Sequence, residues 1–414
     1  MSIVEVRMGA TLRKEDPIID RQCVKDPPRL QGKTLLILGV GVGSGHMRAA
    51  QAVEEAMRLQ APGMEVQVLD ILDFGSLPYR RLYRSLYLLL ARHLPRSLDF
   101  LYRLTDSLPF GLSRILPAID RLAFRRLTRL ILSDPPDLIL CTHFLPLEIL
   151  APLRRFRSLP SPLFGVVTDL HPHGIWLWSG VDRYFTADEE GARTIARRLP
   201  KTATSPVGIP ISPSFSRKFD RQCLRKNLGL PDRWTILLLA GGEGVGDLPA
   251  LIDSFRGFPE SITLVAIAGK NPRLEARCHR LAKTFTSPEH LVRVRGFVPN
   301  MADWMGASDV VVTKPGGLTL VEALGLGRPL VLLPARGGQE EINRKWALAL
   351  GAAAGCEVPE GAGPLLAALF SQPGRLEAMA RAARNAGRPL TAKVVAREII
   401  RTLCDPPETL GRTP

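Results

Sequence analysis

Two stretches of this chain repeat one pattern, a continuous apolar run that stops in glycines before a helix-compatible segment. The first is KTLLILGVGVGSGHMRAA at 33–50 and the second opens with TILLLAGGEG at 235–244. An apolar run without alternation is what a parallel strand buried on both faces requires. After the first, AAQAVEEAMRLQ and MEVQVLDIL complete a strand–helix–strand unit. Further strands are expected in 136–144, 162–170 and 182–188, then, after the restart, in 261–269, 290–298, 308–317 and 328–336. The fold class expected is α/β, with two doubly wound Rossmann-like domains facing a cleft. A length of 414 residues suits two such domains. The expected organisation is a flexible leader over 1–30, a first domain over 31–205 and a Pro-rich hinge over 206–215. A second domain then covers 216–385, and a C-terminal helix and tail covers 386–414.

The glycine loop at the first restart supplies Gly43, Ser44 and Gly45 and leads into His46. Free backbone N–H groups at the helix start suit an anion or an incoming oxygen. It is not a Walker loop, since no GK[ST] follows, and its glycine spacing misses GxGxxG by one place. Asp70 near the end of the next strand keeps a dinucleotide oxidoreductase open as an alternative. A histidine at the first helical turn often just packs there, but beside this loop a neutral imidazole can serve as a general base.

The second half carries the denser signal. Lys314, Pro315, Gly316 and Gly317 end one strand and open a helix, a site suited to a diphosphate. Glu322 falls one turn into that helix, where a carboxylate can accept both hydroxyls of a ribose. Gln339 and Glu340 follow another strand, an amide and a carboxylate fit for neighbouring sugar hydroxyls. Gly241 and Gly242 end the strand that opens this half. Glu322 alone reads equally well as a charge favoured by the helix dipole; the constellation does not.

These pieces resemble the monogalactosyldiacylglycerol synthase and processive diacylglycerol glucosyltransferase family. More distantly, they are similar to the N-acetylglucosaminyltransferase that completes the peptidoglycan lipid precursor. The matching segments are GSGHMRAA at 43–50, VTDLHPHGIWLWSGVDRYFTADEE at 167–190, RGFVPNMADWMGASDVVVTKPGG at 295–317, TLVEALGLGRPLVLL at 319–333 and GQEEINRKWA at 338–347. The resemblance implies a GT-B fold, a UDP-sugar donor and inversion at the anomeric carbon without a bound metal or other cofactor; no DxD motif is present to hold one. It also implies an acceptor-side first domain and a donor-binding second domain. It makes His46 the base, with Asp169 a second base candidate or the residue that orients His46. Phe297 and Val298 then contact uracil, Gly316 and Gly317 the diphosphate, Glu322 the ribose, and Gln339 and Glu340 the transferred sugar, with Gly241 and Gly242 also on the donor side. Gly43, Ser44 and Gly45 form the acceptor loop. His171 and His173 have the spacing of metal ligands but no third partner nearby. The chain departs from the usual GGGH in having GSGH, and places Met47 before Arg48.

The formal net charge is +15, so charge bears on partners. Between Pro78 and Leu130 stand eleven arginines and three aspartates, a net of eight, with Leu, Tyr, Phe and Ile between them at helical intervals. Arg80, Arg81, Arg84, Arg92 and Arg96 head this segment. Such a pattern describes helices lying in an anionic headgroup layer, or helices packed on the domain with arginines in water. With the resemblance, a lipid acceptor at an anionic membrane surface leads. A nucleic-acid-binding protein is the alternative of another class, but aromatics are 6% and no reader motif appears. A polyprenyl-linked or other glycolipid acceptor is the alternative within the enzyme class. The N-terminus does not read as a secretory signal, no run approaches a spanning length, and six scattered cysteines fit a reducing compartment. The expected location is therefore the cytoplasm, on the inner face of the cell membrane.

Overall fold

The computed structural model describes residues 30–41, 45–77, 79–81, 83, 120–244, 246–335 and 337–405. The chain forms two parallel six-stranded sheets. In the first, β1 (Thr34–Gly39), β2 (Glu65–Asp70), β3 (Leu138–Cys141), β4 (Leu163–Val166), β5 (Arg183–Phe185) and β6 (Ala203–Ser205) lie in the order 2-1-3-4-5-6. In the second, β7 (Trp234–Leu239), β8 (Ile262–Ile267), β9 (His290–Arg295), β10 (Val310–Thr313), β11 (Leu330–Leu332) and β12 (Ala353–Gly355) lie in the order 12-11-10-7-8-9. Strand order therefore reverses between β1 and β3, and between β7 and β10. These are the points where open α/β sheets leave a crevice beyond the strand ends.

The apolar runs fill the sheets. Leu35, Ile37 and Leu38 of β1, and Ile236, Leu237 and Leu238 of β7, are essentially inaccessible to solvent. Helices cover both faces, so each sheet is buried on two sides, as the unalternating sequence requires. β6 (Ala-Thr-Ser) and β12 (Ala-Ala-Gly) have no apolar run; both are short edge strands and were not expected from the sequence.

The chain passes between the two units twice. The second passage leads into helix Thr391–Cys404, whose Ala392, Val395, Ala396, Ile399 and Ile400 form one buried stripe. That stripe lies in the core of the first sheet with Leu35, Ile37, Val53 and Phe164. Burying each Val or Ile there contributes about 1.5–3 kcal/mol, so the last helix ties the second unit back onto the first. The two passages touch, Thr391 Oγ1 donating to the Val207 carbonyl at 2.9 Å. Gly208 has φ +103°, and a Cβ there would stand 2.6 Å from Thr391 Oγ1.

Candidate active site

His46 opens helix Gly45–Gln60 directly after β1 and its glycine loop. Its Nδ1 lies 3.1 Å from the Thr142 carbonyl and 2.6 Å from Thr168 Oγ1. A carbonyl only accepts, so the proton sits on Nδ1 and the Nε2 lone pair is left available. Thr142 follows β3 and Thr168 lies beyond β4, which places both partners at the crevice end of the first sheet. Burial disfavours the imidazolium and brings the His46 pKa down to about 4, the Thr142 bond opposing only in part. His143 stands edge-on to His46 with ring centroids 4.5 Å apart. Its Nδ1 accepts from the Leu145 N–H, capping helix Phe144–Arg155, and burial with His46 beside it holds its pKa well below the usual histidine value.

Asp169 is the next residue after Thr168, but no hydrogen bond joins it to His46. Its carboxylate accepts from Trp176 Nε1 at 2.8 Å and from Gln339 Nε2 of the second unit. Burial lifts its pKa to about 6 against those two bonds. The orienting contacts of His46 are therefore the Thr142 carbonyl and the Thr168 hydroxyl, in place of the expected Asp169. His173 Nδ1 accepts from Ile175 N–H and caps a short turn. Among the described residues no three His, Cys, Asp or Glu side chains converge on a possible metal position.

The second unit brings two helix starts to the same crevice. Helices Gly317–Gly325 and Gly338–Ala349 begin at Gly316 and Gly337, and neither has a side-chain cap. Uncapped first-turn N–H groups are available to an anion. A Cβ built on Gly316 would meet nothing within 4 Å, while one on Gly317 would lie 3.4 Å from the Thr168 carbonyl. Thr168 thus bonds His46 through its hydroxyl and turns its carbonyl toward the space beside Gly317. Glu322 is buried one turn further on. One oxygen accepts from Arg48 Nη2 at 2.5 Å, and Oε2 is buried without a partner. Burial raises its pKa to about 7, with Arg48 opposing. Lys314 Nζ pairs with Glu340 Oε1 at 2.9 Å. A cavity of about 150 Å³ opens beside Lys314, lined also by Ala240, Asp247 and Pro334.

The monogalactosyldiacylglycerol synthase family model matches residues 46–211, and the glycosyltransferase family 28 C-terminal domain matches 235–363. A probable monogalactosyldiacylglycerol synthase 2 of rice (Oryza sativa subsp. indica) is 31% identical over 355 residues, 82% of this chain and 74% of that protein. The chain belongs to the monogalactosyldiacylglycerol synthase family. It is a glycosyltransferase. A processive diacylglycerol beta-glucosyltransferase of Staphylococcus saprophyticus is 27% identical over 392 residues, 90% of this chain and 94% of that one. Among solved structures, Acinetobacter baumannii MurG superposes with a TM-score of 0.59 at 16% identity, covering 89% of this chain and 99% of that one. Anabaena HepE, in complex with UDP and glucose, gives 0.53 at 14% identity with the same coverages. The two-sheet arrangement is the GT-B fold these structures share.

Within this family member, the residues expected to act together from the two halves do meet. His46, Asp169, Gly317, Glu322 and Gln339 stand at one seam between the units. Phe297 is 59% exposed, with Lys270 Nζ over its ring at 5.5 Å, and Val298 is half-buried beside it. Gly241 has φ +79°, and a Cβ there would sit 3.5 Å from Lys314 Cε, so the β7 turn lies near the loop that carries Lys314. Gly242 accepts from Lys270 N–H in the same turn. Gly43, Ser44, Arg84, Arg92 and Arg96 lie outside the described residues. Asp70 caps the turn Ile71–Phe74, accepting from Leu72 N–H at 3.0 Å. Sequence reasoning did not single out Thr142, His143 and Thr168, or a site role for Arg48.

Proposed function

We propose that this chain transfers a hexose from a UDP-sugar to the free hydroxyl of diacylglycerol, inverting the anomeric centre, with His46 as the base. The carrying observation is the position of Thr168, bonded to His46 on one side and with its carbonyl toward the space beside Gly317 on the other. A base and an anion-binding helix start then flank one small space, which suits displacement at a carbon bearing a diphosphate. The acceptor oxygen attacks the anomeric carbon from the face opposite UDP. Its proton passes to His46 Nε2, the carbon–oxygen bond to the β-phosphate breaks, and the negative charge leaves on UDP. Gly316 and Gly317 N–H groups and Lys314 meet that charge. Glu322 takes the ribose hydroxyls, Phe297 and Val298 the uracil, and Gln339 and Glu340 the hexose. On this reading the leaving group needs no bound metal.

The diacylglycerol acceptor is supported by the names of the rice and staphylococcal relatives. Incubation with UDP-glucose, UDP-galactose or UDP-N-acetylglucosamine and diacylglycerol, with lipid products read by mass spectrometry, tests it. Glycosylated diacylglycerol is expected; product only from a polyprenyl-linked acceptor would overturn it.

The same reading places the enzyme on an anionic membrane face. No helix among the described residues is long and apolar enough to cross a membrane. Leu122, Leu130 and Leu132 are exposed at 71%, 50% and 37%, on either side of the exposed Arg125, Arg126 and Arg129 in the chain. Arg81 is exposed and Arg80 pairs loosely with Asp73 at 3.4 Å. Leucines in water beside arginines fit a surface that lies in headgroups, each arginine adding about 1 kcal/mol there. The inner face of the cell membrane is the location this supports.

A further inference from the structure

Arg48 sits two residues beyond His46 in the first turn of the same helix, and its guanidinium crosses to Glu322 in the other unit. The pair is asymmetric in burial: the Arg48 side chain is 37% exposed and the Glu322 side chain 3%. Glu322 Oε1 is taken by Arg48, while Oε2 is enclosed in protein and has no partner. An enclosed carboxylate oxygen without a donor is costly, and the helix would be better served by an apolar residue unless something binds there. The surrounding charges are engaged elsewhere. Glu55 accepts from Ser212 at 2.7 Å and Glu340 from Lys314. His46, on the same turn, is neutral. Arg48 is left as the charged group whose field acts on the Glu322 carboxyl.

We propose that Arg48 is a positioning residue for donor binding: it holds Glu322 as a carboxylate with Oε2 presented to the nucleoside, and so ties ribose capture to placement of His46. The proposal rests on the reading of Glu322 as the ribose acceptor. Ion pairing through Oε1 leaves Oε2 without a donor, so a ribose hydroxyl that displaces the protein enclosing it is received by the same carboxylate that Arg48 holds. Because Arg48 and His46 share a helical turn, a donor that strengthens the Arg48–Glu322 bond also draws the base toward the sugar. Ribose recognition in one unit thereby sets the base supplied by the other.

The sign of the pH effect follows. Burial raises the Glu322 pKa to about 7 and Arg48 holds it from going higher. UDP binding by the carboxylate then strengthens as pH rises through about 7. An opposite charge at this distance lowers a carboxyl pKa by roughly 1–3. Without it, the midpoint moves to about 8 or above, and at pH 7 UDP binds more weakly by about fivefold or more.

The experiment is calorimetric titration of the full-length protein with UDP from pH 6 to pH 9, on wild type, R48M, R48K and E322Q. Expected are a midpoint near 7 for wild type, a midpoint displaced upward in R48M, near-normal behaviour in R48K, and in E322Q weak binding whose only pH dependence is that of the UDP phosphate, near about pH 6 and common to all four proteins. An R48M curve that overlays wild type, with E322Q weak, overturns the role of Arg48 and leaves the ribose reading standing. Tighter UDP binding in R48M also overturns it, making Arg48 a competitor of the ribose. Unchanged binding in E322Q sinks the ribose reading and the proposal with it. Should R48M fail to fold, R48K decides: it keeps the charge, so loss of binding there overturns the proposal.

Discussion

Replacing His46 by alanine removes the acceptor atom Nε2 but keeps the backbone of the glycine loop. A positioned general base is worth about 10²–10⁴ in rate, and kcat should fall by that factor while UDP affinity stays within about twofold. The pH dependence is the sharper test. An ordinary histidine with pKa near 6.5 would be about 9% neutral at pH 5.5 and about 91% at pH 7.5, so its catalytic contribution would change about tenfold. Burial beneath Thr142 and Thr168 brings His46 to about 4, so at pH 5.5 it is about 97% neutral already. The ratio of wild-type to H46A kcat/KM for the donor should therefore be flat from pH 5.5 to pH 9. Taking the ratio cancels Glu322, whose ionisation near pH 7 affects both proteins alike. The assay is initial-rate release of UDP with detergent-dispersed diacylglycerol. A ratio that collapses about tenfold between pH 7.5 and 5.5 would refute the buried, neutral His46. H46A turnover near wild type would move the base elsewhere, Asp169 first.

Arg80, Arg81 and Arg84 changed together to glutamate should cut flotation with anionic vesicles steeply, while activity on a short-chain, dispersed acceptor survives; undiminished flotation at moderate salt would place docking on another surface. Thr168→Val deletes one of two Nδ1 partners and leaves the Thr142 carbonyl, so kcat should drop about tenfold with UDP affinity unchanged, as initial rates and calorimetry will show. Prolonged EDTA treatment should leave turnover unaltered, since helix N–H groups and Lys314 meet the diphosphate charge; a loss restored by Mg²⁺ would contradict that reading.

How much of this was legible in the sequence depends on whether the signal is local. The strands of both sheet centres were readable because burial on two faces forces an unbroken apolar run, as in Leu35–Leu38 and Ile236–Leu239. β6 and β12 were not readable, since an edge strand of three small residues has no such run to show. Helix starts at Gly45 and Gly317 were marked by glycines shortly after strands, whereas the helix at Gly338 was not read as one. His46 could be singled out because its loop is contiguous with it. Its partners could not: Thr142 and Thr168 lie 96 and 122 residues away, and only the parallel order β1-β3-β4 brings their strand ends together. A TH or TD dipeptide after an apolar run carries no mark of that neighbourhood.

The same limit bears on Asp169, which the resemblance offered as a second base candidate or as the residue orienting His46. The orienting role is not the one it takes, because its carboxylate bonds Trp176 and Gln339. The imidazole is oriented instead by a main-chain carbonyl, which every residue possesses and no sequence reveals. The exchange matters chemically. A carboxylate behind Nδ1 would stabilise the imidazolium and raise its pKa, whereas a carbonyl fixes the tautomer with far less charge stabilisation. His46 is thus a weak base held neutral and correctly turned over the whole physiological range. Such a base suits a displacement in which the sugar–phosphate bond is largely broken before the acceptor proton moves, because the proton then leaves an already acidified hydroxyl. On the proposed reading, the larger share of catalysis falls on the leaving group, at Gly316, Gly317 and Lys314, rather than on the histidine.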